Sequence, residues 1–372
     1  MLNLPPALSA VVRRLSSWTR VIRAHDWWTY KVAMILSTAY ATAAHLGVSP
    51  AAQWPTLLLL VVALVLVAMF ASLINDLCDL EEDRLGGKSN QLEGLSGSRV
   101  VALFVACVIP GLVIGASLRH SITLLAIYAA NWLIFALYSV PPFRWKNRAL
   151  LGILAIALGE SALPHVFAVL LVSAGADRAA GPVWTALVAV WAFAVGARSI
   201  LWHQLRDHQA DRDAGVRTFV VRATPRRVIW LGRLVVFPLE LAALLGMLWE
   251  MGIGMAWVML AIYAVTDLLR HWLWKIPVVV LDPAPNDRLL LFEYYDMLYP
   301  LGCIASAIPR DGTNLALLAI VATATPRCGW WMSDLWFLSR QVVASLARRV
   351  RPAPSHSGEP DSQLSSRSIE DS

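Results

Sequence analysis

The 372-residue sequence is short of charge: Asp, Glu, Lys and Arg together make up 15% of it, against 58% hydrophobic residues. That excludes an ordinary soluble domain, which needs roughly a quarter of its residues charged to cover its surface. Cysteine is scarce too. Cys78, Cys107, Cys303 and Cys328 show no CxxC or Cys/His spacing, so neither a disulfide framework nor a zinc site is expected. No cleavable signal peptide is expected either, because residues 1–31 are polar and basic (Arg13, Arg14, Arg20, Arg23, Lys31) and have no apolar stretch. Period-two alternation is missing, which excludes a membrane β-barrel.

What the sequence does have is a series of apolar runs near the length that crosses a hydrocarbon core about 30 Å thick. They cover 29–48, 54–74, 100–118, 121–140, 149–173, 183–205, 228–250, 253–270 and 289–309. In lipid such runs must be helices, since each backbone polar group has to be satisfied internally. The expected fold is therefore all-α, a polytopic membrane bundle of about nine transmembrane helices. The 17 tryptophans suit interfacial anchoring.

Charge is clustered in the connections. Segments 75–99, 141–148 and 206–227 are polar and basic, whereas 49–53, 119–120, 174–182 and 251–252 are short and charge-poor. The positive-inside rule places the basic set, with the N-terminus, in the cytoplasm, so the net charge of +6 reads as topology and not as nucleic-acid binding. The rule fails at the far end. Nine spans would leave the C-terminus outside, yet Arg340, Arg348, Arg349 and Arg351 favour the inside, and the apolar run 314–324 is too short to span. The expected organisation is a cytoplasmic or interfacial segment at 1–28 and a transmembrane domain at 29–325. An interfacial amphipathic segment at 326–350 and a disordered Pro/Ser-rich tail at 351–372 follow.

Two acidic clusters carry the chemistry. Asn75-Asp76-Leu77-Cys78-Asp79-Leu80-Glu81-Glu82-Asp83 stands at the end of the second run. On a continuing helix, Asn75, Asp79 and Asp83 fall at i, i+4 and i+8, with Asp76 and Asp79 at i and i+3, so that carboxylates share a face and repel. A hard divalent cation relieves that repulsion; Mg²⁺ takes one or two carboxylates and completes its shell with phosphate oxygens. The second cluster, Asp207 to Thr218, places Asp207 and Asp211 on one face, with Gly215 as a helix stop. Between them in sequence, Tyr138-Ser139-Val140-Pro141-Pro142-Phe143-Arg144-Trp145-Lys146 offers cations for a diphosphate. Either cluster alone is as well explained by solvated residues at a helix end; the shared register on one side of the bundle favours a site.

These three stretches resemble the UbiA superfamily of membrane prenyltransferases, which includes UbiA-type terpene cyclases. The resemblance covers roughly residues 20–310 and implies a nine-helix bundle with a lateral opening to lipid. It also implies Mg²⁺-dependent handling of an isoprenoid diphosphate. Asn75, Asp79, Asp83, Asp207 and Asp211 would then serve Mg²⁺ and diphosphate, with Asp76 in the metal set and Arg144 and Lys146 on the phosphates. One departure stands out: many members carry an Arg-Pro segment after the first motif, where this chain has Lys88-Ser89-Asn90-Gln91-Leu92-Glu93-Gly94. That weakens assignment to the quinone, haem and chlorophyll branches and leaves the acceptor open.

The expected chemistry is ionisation of an allylic diphosphate. Mg²⁺ acts as Lewis acid, and Arg144, Lys146 and Arg217 spread the developing charge. The cation then needs a water-poor pocket and aromatic faces, for which Tyr138, Trp132 and Trp202 are candidates. Glu160, mid-span in Gly159-Glu160-Ser161, is the candidate to bind an acceptor hydroxyl or take the proton; an interhelical hydrogen bond would explain it equally well. His165, Arg198, His203, Glu240 and Asp267 are further intramembrane ionisable groups, with structural readings at least as good. Three activities compete: transfer to a lipophilic, aromatic-type acceptor, acceptor-free terpene cyclisation, and cation transport through the acidic clusters. The last would be supported by inverted repeats, and none is visible.

Overall fold

The computed structural model describes Arg23, Trp27 and residues 31–213, 215–216, 218–252 and 254–350, the last seven by backbone alone. The expectations for segment 1–28 (beyond Arg23 and Trp27), for Arg217 and for the tail 351–372 lie outside the described residues. The chain divides into two units, residues 1–330 and 331–372.

The first unit is helical throughout its main elements. They are α1 (Ala33–His45), α2 (Trp54–Leu85), α3 (Gly97–Ser117), α4 (Ile122–Ser139), α5 (Ala149–Gly175) and α6 (Pro182–Arg206). Then come the short α7 (His208–Asp213) and α8 (Phe219–Ala223), followed by α9 (Pro225–Glu250) and α10 (Met255–Trp274). After α10 the strands β1 (Val278–Val279) and β2 (Arg288–Leu289) pair in parallel, and α11 (Tyr299–Ala307), α12 (Asn314–Ala324) and the start of α13 (Pro326–Val350) close the unit. Of the second unit, the described part is the continuing helix to Val350.

Among the described residues, six helices are long and apolar enough to cross a membrane, those containing α2, α3, α4, α5, α6 and α9. The protein is thus a multispanning membrane protein; six of the nine expected runs meet that test among the described residues, and the other three take other forms. Of the first run, the described part holds the 13-residue α1, preceded by π-helical residues 31–32 and mostly buried inside the bundle. The eighth run becomes α10, whose final turns carry Asp267, Arg270 and His271 in place of an apolar end. The ninth begins late, because residues 288–289 are spent on β2, and opens with a π-helical turn at Tyr294–Leu298.

The run 314–324, dismissed as too short, does form a helix that packs on α11. Arg327, just past its end, pairs with the buried Asp296 at 2.5 Å, so α11 and α12 form a hairpin that returns the chain to the end of the bundle from which α11 set out.

Two further π-helical turns interrupt spans, Ala157–Ala162 in α5 and Gly232–Val236 in α9. Each extra residue leaves backbone groups to be satisfied from neighbouring helices. In α5 the released Gly159 carbonyl accepts from Asn131 Nδ2 at 2.6 Å, and Ser161 Oγ donates to the Ala192 carbonyl at 2.7 Å. His165 joins the same ladder through Nδ1 to the Ser161 carbonyl at 2.7 Å, which fits its structural reading.

Arg198 and Glu240 form a fully buried pair between α6 and α9, with both guanidinium–carboxylate contacts at 2.6 Å and Tyr295 donating to Glu240 Oε1 at 2.8 Å. A charge in so dry a place persists only while its partner remains. Glu240→Ala is therefore expected to cost about 3–5 kcal/mol by stranding the guanidinium, and Glu240→Gln, which still accepts hydrogen bonds, distinctly less. Thermal unfolding in detergent checks this; equal midpoints for Glu240→Ala and wild type would contradict it.

Candidate active site

α2 does not stop at the end of its apolar run. It continues unbroken to Leu85, so the first acidic cluster keeps helical register as it leaves the apolar region. Asp79 is largely shielded and meets two cations from the 140–148 turn: Arg144 Nη2 at 2.7 Å, and Lys146 Nζ, which contacts both carboxylate oxygens. Lys146 also donates to Asn75 Oδ1 at 3.1 Å. Arg144 forks onto Glu82 at 2.5 and 3.0 Å, and these bonds hold its pKa above the ordinary arginine value. Asn75, Asp79, Arg144 and Lys146 are thus one cluster, and Glu82, to which no role was assigned, belongs to it.

Asp76 is buried. Arg23 Nη1 donates to its Oδ1 at 3.4 Å, while Oδ2 has no hydrogen-bond donor. Asp83 accepts from Asn90 Nδ2 at 2.9 Å, and the same amide donates to the Asp76 carbonyl at 2.8 Å. Asn90 Oδ1 in turn accepts from the Leu92 N–H at 3.0 Å, and Leu92 is buried. The proline-free segment 88–94 is therefore pinned back over the helix end by one asparagine.

The second cluster sits where α6 ends. The Asp207 N–H closes α6 on the His203 carbonyl at 3.0 Å, and the Asp211 N–H bonds the Asp207 carbonyl at 2.8 Å, so the two aspartates occupy successive turns. Gly215, with φ +69°, ends the segment as expected: the Val216 N–H reaches back to the Asp211 carbonyl at 2.8 Å. Burial, then the charge of Asp207, push the Asp211 carboxyl above its ordinary pKa, against the Thr218 hydrogen bond and the positive charge of Lys88. Lys88 lies in the first connection, so the two acidic segments share one end of the bundle.

Between them runs a row of polar groups. Tyr138, at the end of α4, feels the charges of Glu160 and Asp79. Glu160 is ion-paired with Lys31, and the charges of Asp207, Lys31 and Glu160 all act on His203. A charged residue in the first apolar run was the available sign that Lys31 matters. Two aromatic candidates are placed elsewhere. Trp132 packs against Phe70 and Tyr128, well back along α4. Trp202 carries Arg206 over its ring at 4.6 Å and donates its indole N–H to Asp287.

No three His, Cys, Asp or Glu side chains among the described residues converge to hold a metal unaided. The donor set nevertheless suits a hard cation that arrives with phosphate. Its members are carboxylate and amide oxygens, one of them a buried Asp76 oxygen without a donor.

Fold and site together define a multispanning α-helical membrane protein with a polar, doubly acidic site at one end of its bundle. Residues 33–279 match the UbiA prenyltransferase family, and the chain belongs to it. A UbiA homolog from Archaeoglobus fulgidus has the same fold, with a TM-score of 0.51 at 17% identity over 78% of this chain and 98% of that one. The structure of a UbiA homolog from that organism bound to DMAPP and Mg²⁺ gives 0.49 at 18% identity over the same shares. A lycopene elongase/hydratase from Haloferax volcanii is 31% identical over 102 residues, which is 27% of this chain and 31% of that protein's length.

Asn90→Ala should release the 88–94 segment from Asp76 and Asp83. Faster amide exchange at residues 86–95 with an unchanged rate in the core of α2 is the expected result; unchanged protection of 86–95 would refute the pinning role.

Proposed function

We propose that this protein transfers an isoprenoid group from a prenyl diphosphate to a lipophilic acceptor, in a reaction that depends on Mg²⁺. The observation that carries the reading is the exchangeable charge cluster at the end of α2. Arg144 and Lys146 are held on Asp79, Asn75 and Glu82, and the positive charge of Lys88 acts on Asp211 without pairing with it. Membership of a prenyltransferase family supports it. Basic N-terminal and connecting segments support a cytoplasmic location for this end.

The metal would be held by Asn75, Asp76, Asp79 and Asp83 on one side and Asp207 and Asp211 on the other, and when bound it neutralises diphosphate charge as a Lewis acid. Arg144 and Lys146 turn from carboxylate to phosphate and donate to the leaving oxygen as the C–O bond breaks and its electron pair departs with the diphosphate. Arg217 is assigned to the same phosphates. The Tyr138 ring at the mouth of the apolar interior faces the allylic cation, which the surrounding helices shield from water. Once the acceptor's electrons have closed the new C–C bond, Glu160 takes the proton that is lost, with Lys31 fixing the position of its carboxylate.

For the acceptor, the partial likeness to a lycopene elongase/hydratase supports an isoprenoid hydrocarbon over an aromatic ring. Purified protein incubated with Mg²⁺ and a panel of prenyl diphosphates, with lycopene, with an aromatic acid or with no acceptor, tests this. Diphosphate release with lycopene alone supports it, and a cyclised hydrocarbon or terpene alcohol without acceptor would reassign the protein as a terpene cyclase. Asp79→Asn and Asp211→Asn should each lower diphosphate release by about a hundredfold or more, and chelation of Mg²⁺ should abolish it. Release that persists in both variants would reject the site.

A further inference from the structure

The connection between α10 and α11 carries none of the motif residues, yet it is fastened to the motif end of the bundle by unusually costly contacts. The buried Arg198 guanidinium, already paired with Glu240, also donates to the Val280 carbonyl at 3.1 Å and the Leu290 carbonyl at 2.8 Å. It lies between the rings of Phe237 and Phe292, at 5.2 and 4.8 Å. A clamp that served only to join α6 to α9 would have no use for two carbonyls of the connection. The β1–β2 pair and the Leu291 N–H bond to the Tyr263 hydroxyl at 2.8 Å stiffen the same stretch.

Two of its side chains reach towards the second acidic cluster. Leu281 is fully buried in a cluster with Ile153, Leu201, Val220 and Val228. Val220 follows closely on Thr218, whose hydroxyl bonds Asp211. The seat for Leu281 is tight: a Cβ on Gly232 would fall 2.1 Å from Leu281 Cδ2. On the other side Asp287 accepts from Trp202 Nε1 at 3.2 Å, and the Trp202 ring supports Arg206, the residue before Asp207. Both aspartates thus rest on parts that this connection holds.

We propose that residues 275–293 are a strap that sets the position of the second acidic cluster. Leu281 and Trp202 are positioning residues, acting on Asp211 through α8 and on Asp207 through the end of α6. The role assigned to those aspartates rests on the proposed prenyl-diphosphate activity; the mechanical linkage does not.

Gly232→Ala should displace Leu281, and Gly232→Ala/Leu281→Val, which nearly restores the packed volume, should reseat it. In full-length protein in detergent, Gly232→Ala should speed amide exchange both at 275–293 and at 207–223, and the double variant should return both towards wild type. The KM for prenyl diphosphate should rise about tenfold in Gly232→Ala, with kcat changing less. Should Gly232→Ala not fold, Trp202→Phe removes the bond to Asp287 but keeps a ring under Arg206, and should speed exchange at 207–213. Unchanged exchange at 207–223 in a folded Gly232→Ala, or at 207–213 in Trp202→Phe, overturns the strap. A wild-type protein that releases no diphosphate overturns the enzymatic reading instead, and the exchange result still decides the strap.

Discussion

A helix that leaves an apolar bundle carrying Asp76, Asp79, Glu82 and Asp83 within three turns places like charges where water is scarce, and something must hold them together. In this protein the holding is done by Arg144 and Lys146, which a turn from the neighbouring connection delivers onto Asp79, Asn75 and Glu82. The rest of the motif end follows from that balance. The 88–94 segment folds back onto the same helix through Asn90, and its Lys88 extends the positive charge to Asp211. Ion pairs of this half-shielded kind are strong enough to order the connections and weak enough to be traded for a polyanion.

The bundle interior shows the opposite economy. Several polar groups there bridge neighbouring helices. Asn131 serves the π-helical turn of α5, Ser161 bridges to α6, and Arg198 meets Glu240 and two carbonyls. Such groups specify which helices meet and at what height, because any other arrangement would leave a charge or an amide without a partner in a dry place. Exchangeable ion pairs thus lie at one end of the bundle, and fixed ones lie within it.

Much of this was legible in the residues. Apolar run length and the position of basic segments gave the helical membrane character, and the i, i+4 spacing from Asn75 to Asp83 gave the continuing helix of α2. Span counting is least direct where length and polarity diverge: α10 ends on charged residues, and α12 is helical although too short to cross alone. In the site, the meeting of Arg144 and Lys146 with Asp79 was anticipated only as both being near a diphosphate, since facing cannot be read without the turn that carries them. Asn90 and the role of 275–293 were invisible for a common reason: each acts through tertiary contacts that the sequence pattern does not show. Trp202 shows the converse, an aromatic residue with the right composition and its ring face already taken.

The π-helical turns at Ala157–Ala162, Gly232–Val236 and Tyr294–Leu298 have a consequence for how this chain tolerates changes in length. Each lodges one surplus residue inside a helix of the bundle, and the turns contain Glu160, Gly232 and Asp296. A helix turns by about 100° per residue, so a one-residue deletion anywhere in such a turn would restore regular winding and swing one half of the helix about its axis relative to the other. Glu160 would leave Lys31, Gly232 would leave Leu281, or Asp296 would leave Arg327. The loops of this protein can drift in length among descendants, whereas these three helices have a residue count as binding as their sequence.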